Sequence, residues 1–207
     1  GHTTVLLRST SNDSLGASVA WGGCHGCLLA GAPTTAGRGA IHFLSLSLSS
    51  TISRSRIIPA PASLPVLSSF GASLAWLDTT RGVSRIAVGA PGANTVVLLW
   101  LGQDESPPHQ PLFLSASTLP HLFSHFATTF FPPLSFGTSV ARLGPDGLAI
   151  GVPGALDGAG AVALVWTSPF HTVSFSSLVS GPALAQSGTG MGSQLAAGWA
   201  ANGTVPR

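Results

Sequence analysis

Cys24 and Cys27 form a C-x-x-C pair with His25 and Gly26 between them. Such a pair can do three kinds of chemistry. A structural zinc needs about four sulfur or nitrogen ligands, and the chain has no third cysteine and only His25 close by. A redox dithiol belongs in a βαβ setting, which the flanking sequence lacks. A short structural disulfide needs only the two thiols. His121 and His125 stand four residues apart, as two metal ligands on a helix would, with Ser117-Thr118-Leu119-Pro120 before them as a helix start. They read His-Leu-Phe-Ser-His and lack the general-base glutamate of a metalloprotease helix, so packing or exposed histidines are expected. Asp104 and Glu105 are adjacent and read as a solvated turn. No G-x-S-x-G elbow, phosphate-binding loop or dinucleotide fingerprint occurs. The expectation is a protein that is not an enzyme, with no catalytic residues, no metal and no cofactor.

Composition narrows the partners. Hydrophobic residues make up 44% of the 207 and charged residues 7%, against about 25% charged in an ordinary soluble domain. A surface so poor in charge calls for covering by partner chains, glycans or further repeats. The net charge of +2 and the scattered arginines give no basic stripe for nucleic acid. The long uncharged stretches 14–37 and 159–206 are broken by Gly, Pro, Ser and Thr every few residues, so no membrane-spanning helix is expected. The absence of tyrosine argues against the aromatic girdles of an outer-membrane barrel. The chain begins with Gly and shows no signal peptide, which reads as a mature or partial product.

The elements that must carry these residues repeat. Leu15-Gly16-Ala17-Ser18-Val19-Ala20, Phe70-Gly71-Ala72-Ser73-Leu74-Ala75, Phe136-Gly137-Thr138-Ser139-Val140-Ala141 and Met191-Gly192-Ser193-Gln194-Leu195-Ala196 align with one another. A second motif follows three of them: Leu29-Ala30-Gly31-Ala32-Pro33, Ala87-Val88-Gly89-Ala90-Pro91 and Ala149-Ile150-Gly151-Val152-Pro153. An apolar, often β-branched run follows each of those, beginning at Gly39, Asn94 and Gly160, and Thr3-Thr4-Val5-Leu6-Leu7 has the look of the same element from a preceding unit. Each unit offers three short strands, with room for a fourth in the less regular connection. Near-continuous apolar strands suit sheets covered on both faces, and radially stacked blades are such sheets. The proline ends its strand, because it cannot donate to the ladder.

Three coupled motifs in fixed order resemble the FG-GAP repeat of integrin α-subunit propellers and related extracellular proteins, over nearly the whole chain. The resemblance implies an all-β fold of β-propeller blades: about three complete blades at 14–68, 69–134 (with a long connection) and 135–190. Residues 1–13 would end a preceding blade and 191–207 start a further one. The family's propellers close with seven blades, so three would leave apolar faces to be covered. Family members often hold calcium in the loop between the first two motifs, where several oxygen ligands are needed. Here those loops are Gly22-Gly23-Cys24-His25-Gly26-Cys27, Asp78-Thr79-Thr80-Arg81-Gly82-Val83 and Gly144-Pro145-Asp146-Gly147. None has the required acids, so calcium is not carried over. A disulfide between Cys24 and Cys27, closing the first loop in place of calcium, is the favoured reading of that pair.

Two sequons, Asn12-Asp13-Ser14 and Asn202-Gly203-Thr204, mark Asn12 and Asn202 as N-glycan acceptors. Pro59-Ala60-Pro61, Ser106-Pro107-Pro108 and Pro132-Pro133 read as stiff spacers or as O-glycosylated proline stretches. Phe123, Phe126 and Phe130 recur at helical spacing in the 102–134 connection and are candidates for an interface with another chain. The function expected is an extracellular or cell-surface module for adhesion or matrix assembly through protein–protein contacts. The rival expectation is a glycosylated structural subunit of an extracellular filament or coat.

Overall fold

The computed structural model describes residues 12–22, 26–46, 52–80, 82–102, 110–115, 117–119, 134–144, 146–156, 158–168, 172–180 and 192–195. Three four-stranded antiparallel sheets follow one another along the chain, so the fold is all-β. The first holds β1 (Val19–Trp21), β2 (Cys27–Ala32), β3 (Ala40–Leu46) and β4 (Ile52–Pro59). The second holds β5 (Ser73–Thr80), β6 (Val83–Ala90), β7 (Thr95–Leu101) and β8 (Leu112–Ser115). The third holds β9 (Val140–Leu143), β10 (Gly147–Val152), β11 (Ala161–Thr167) and β12 (Val173–Ser180). In each, strands pair in sequence order as a simple meander.

The motifs set where each strand begins and ends. Ser14, Ser69 and Ser135 adopt the left-handed conformation (φ 56°, 56° and 52°), and the glycine two residues later has φ of 90°, 95° and 88°. Glycine alone reaches that second value without strain. The turn closes with Ala17, Ala72 and Thr138 N–H groups donating to the serine carbonyls at 3.0–3.1 Å. Strands β2, β6 and β10 stop at the residue before Pro33, Pro91 and Pro153, where the ladder loses its donor. The residue after each proline donates back to the residue just before its own unit: Thr34 to Asp13, Gly92 to Ser68 and Gly154 to Leu134.

The core lies between the sheets. Leu29, Ile41 and Phe70 pack with Leu74, Trp76, Ile86 and Val97 between the first and second. Ala75, Leu98 and Trp100 pack with Val140, Ile150, Ala163 and Val165 between the second and third. The middle sheet is therefore covered on both faces, and all seven residues of β7 are buried. The fourth strands behave differently. In β4 exposed residues dominate, Arg54 and Ile57 among them, and Pro59 sits at its end, as an edge strand allows. Among the described residues no helix is long and apolar enough to cross a membrane.

One expected loop is shorter than the sequence suggested. Asp78–Thr80 belong to β5 and Val83 opens β6, so only two residues separate these strands. Asp78 lies directly across from Arg85 in the ladder, and their side chains are paired. Cys27 likewise opens β2 instead of lying in a loop.

Candidate functional site

A single contact recurs from each unit to the next. The serine two residues after each turn glycine donates its hydroxyl to the turn-glycine carbonyl of the following unit: Ser18 to Gly71 (2.7 Å), Ser73 to Gly137 (2.8 Å) and Ser139 to Gly192 (2.6 Å). Gly31, Gly89 and Gly151, from the second motif, lie beneath these bonds. A Cβ on any of them would overlap both the serine oxygen and the neighbouring glycine carbonyl. The first motif thus supplies donor and acceptor, and the second supplies the clearance. The strands that carry the first motif, β1, β5 and β9, line one groove of about 560 Å³ together with Leu195. A second pocket, of about 330 Å³, is lined by Ser18, Ser73, Ser139 and Gln194 and shares Val19, Leu74, Val140 and Leu195 with this groove.

The side of the first sheet that faces away from the second is the exception. Ala20 packs against the core shared with the second sheet, so Val19 and Trp21 point the other way. Their counterparts three and five residues after the turn glycine are Leu74 and Trp76 in the second sheet, with Val140 in the third. Leu74 and Trp76 are 8% exposed and Val140 6%, because the preceding sheet covers them. Trp76 meets Phe43 of the first sheet at 6.3 Å between ring centroids. Val19 and Trp21 are 58% and 62% exposed. The turn glycines differ in the same way. A Cβ on Gly71 or Gly137 would press on the Ala40 or Thr95 carbonyl, whereas nothing lies within 4 Å of one on Gly16. On the same face Ala30 and Leu44 are buried and Ile57 is exposed, so the open area is two strips, at β1 and at β4.

A buried arginine belongs to the joint between the second and third sheets. The Arg85 side chain, 5% exposed, donates from Nε to Asp78 Oδ1 (3.1 Å) and from Nη2 to Asp146 Oδ1 (2.8 Å). Nη1 reaches Thr167 Oγ1 at 3.3 Å. Relative to the second-motif glycine, Arg85 and Asp146 correspond to Cys27 and Ser84 at the joint between the first two sheets. Leu101 there takes the place of Thr167. With the ionic group replaced by smaller side chains, that joint keeps a cleft of about 250 Å³, lined by Cys27, Phe43, Arg54, Arg56, Thr79 and Ser84.

The residues singled out from the sequence are dispersed. Asn12 is exposed, and its carbonyl accepts a bond from Thr34 Oγ1 at 2.8 Å. Cys27 is fully buried. Cys24, Asn202, His121, His125, Asp104, Glu105 and the interface candidates Phe123, Phe126 and Phe130 lie outside the described residues. No group of three or more His, Cys, Asp or Glu suited to a metal ion occurs among the described residues. The motif serines carry the joints between sheets, a role their alignment did not reveal, although their recurrence two residues after each glycine was the signal. No protein-family model matches the chain, and no curated protein matches it significantly.

Proposed function

We propose that the three sheets are consecutive blades of an FG-GAP-type β-propeller and that the chain is an extracellular binding or structural module acting through protein–protein contacts. The observation that carries the reading is the contrast between Trp21 and Trp76. Equivalent in the repeat, they are 62% and 8% exposed, so the first sheet presents a face of the kind that a neighbouring sheet covers elsewhere in the chain. Val19, Trp21 and Ile57 are large apolar side chains left open on that face, and exposed apolar surface where the equivalent residues are covered supports an interaction site. The propeller reading is supported by the repeated serine-to-glycine joint and by the groove common to β1, β5 and β9. The extracellular setting is supported by the Asn12 sequon in an exposed bend and by the C-x-x-C pair.

A photo-activated cross-linker placed at position 21 in the cells that make the protein tests this. Adducts with a protein chain, lost when the probe is moved to buried Trp76, are expected. A probe at position 21 that captures no protein overturns the reading.

A further inference from the structure

Among the described residues β4 is an edge strand of the first sheet, and each of its residues is exposed or half-buried. Its outward backbone groups can be assigned. The Ala60 N–H donates to the Gly39 carbonyl at 3.1 Å. Antiparallel ladders alternate, so Arg54, Arg56 and Ile58 turn their backbone polar groups toward β3, while Ser55, Ile57 and Pro59 turn theirs away. Pro59 suits an outward position, because it has no N–H to offer the ladder. Ser55 and Ile57 present donors and acceptors of the kind with which a further strand can pair.

Side chains of the same strand border the cleft between the first two sheets. Ile58 packs against the core shared by those sheets, so Arg54 and Arg56 project on the same side. Both line the cleft of about 250 Å³, together with Phe43, Thr79 and Ser84. At the next joint Arg85 receives carboxylates from Asp78 and Asp146. The described lining of this cleft holds two arginines and no acid. Each guanidinium has five N–H donors, so it can take a carboxylate in addition to its contacts within the chain.

We propose that β4 takes up an extended segment of a partner protein with acidic residues at alternate positions. The segment pairs with the outward groups of Ser55 and Ile57 as a further strand. Its acids face Arg54 and Arg56, which share the two-residue period of a strand, and they enter the cleft. This extends the protein-contact reading to a place that does not involve Trp21.

The probe is a capped peptide of alternating glutamate and threonine, titrated by calorimetry into the purified chain. Saturable one-to-one binding that weakens with added salt is expected. The glutamine version should bind about tenfold more weakly, the effect of losing two opposite-charge pairs across a strand interface. Only one of the two alternate sets of peptide amides faces β4, so N-methylation of one set should abolish binding and of the other leave it. Arg54→Glu with Arg56→Glu should lose the glutamate peptide and gain its lysine counterpart, which a misfolded chain would not do. No binding of the glutamate peptide overturns the proposal. So does equal binding of both N-methylated peptides, which means a charge contact without strand pairing. Tighter binding of an oligogalacturonate overturns it too, in favour of an acidic glycan. If the glutamate peptide fails while the position-21 probe still captures protein, this proposal falls and the protein-contact reading stands.

Discussion

The hydroxyl of Ser73 donates a 2.8 Å hydrogen bond to the carbonyl oxygen of Gly137, 64 residues away and in the next unit. Ser73 is 8% exposed, so an alanine there leaves a carbonyl without its donor in a place water reaches poorly. Stranding a buried acceptor costs about 1–3 kcal/mol. Ser73→Ala should therefore lower stability by that amount in urea unfolding. Ser18→Ala removes the same bond at a joint that is only part-buried, and should cost about 1 kcal/mol or less. Equal losses at both positions would mean that the bond contributes through something other than burial.

The second motif's glycine is needed for space. In Gly89→Ala the new methyl would run into the Gly137 carbonyl and Ser73 Oγ. That carbonyl belongs to the Gly137 turn, which is tied to the third sheet by its N–H bond to the Gly151 carbonyl, so the upper end of the overpacking range, about 3 kcal/mol, is expected. Gly16→Ala meets nothing within 4 Å, but φ of 90° is unfavourable for alanine, at about 1–2 kcal/mol. Thermal melting of the two variants checks the order. Gly16→Ala as damaging as Gly89→Ala would contradict the crowding argument.

These same contacts explain what was legible in the sequence. Gly31, Gly89 and Gly151 recur because a backbone carbonyl occupies the space of their absent side chains, and Pro33, Pro91 and Pro153 recur because the strand must stop there. Steric demands of this kind admit one residue type and show as a repeat. The fourth strands meet weaker demands. Strands β4 and β12 are rich in serine, and β8 has four residues, so neither composition nor spacing announced them. The Arg85–Asp146 pair was hidden because 61 residues separate its members. Only their fixed distances from Gly89 and Gly151 place them at one joint, and those distances gain meaning once the ladder register is known. The exposure of Trp21 depends on which neighbour is present, and the residue itself matches Trp76.

Cys27 is fully buried at the head of β2, in the position that Arg85 holds in the second sheet. Cys24 stands within the short connection to that strand. If the two are bonded to each other, thiol labelling without reductant should detect no reactive cysteine, native or denatured. Reduction followed by denaturation should then release both. Labelling of two cysteines in unreduced, denatured protein would rule out the disulfide and bring back the metal reading of the pair.

Arg85 supplies the positive charge that Asp78 and Asp146 face, so these acids are already satisfied by a side chain. Two consequences can be measured. Chelation of calcium should leave the melting temperature unchanged, and added millimolar calcium should not raise it. A clear rise on calcium addition would show that the acids prefer the metal to the guanidinium. The second consequence concerns which half of the group is harder to lose. The arginine side chain is 5% exposed, while Asp78 and Asp146 are 31% and 46% exposed. Removing both carboxylates as Asp78→Ala with Asp146→Ala takes two anionic partners from a buried cation, which costs up to about 3–5 kcal/mol. Arg85→Met leaves two carboxylates that water can still reach and fills the joint with a side chain of similar length. It should be the milder change. Introducing Arg85→Met into the doubly substituted chain should recover most of the loss, since an apolar replacement of a whole buried ion group is close to neutral. Chemical unfolding of the three variants reads this directly. If Arg85→Met proved the most damaging of them, the arginine would be holding the second and third sheets together by its charge, and the joint would depend on the ion pair instead of tolerating it.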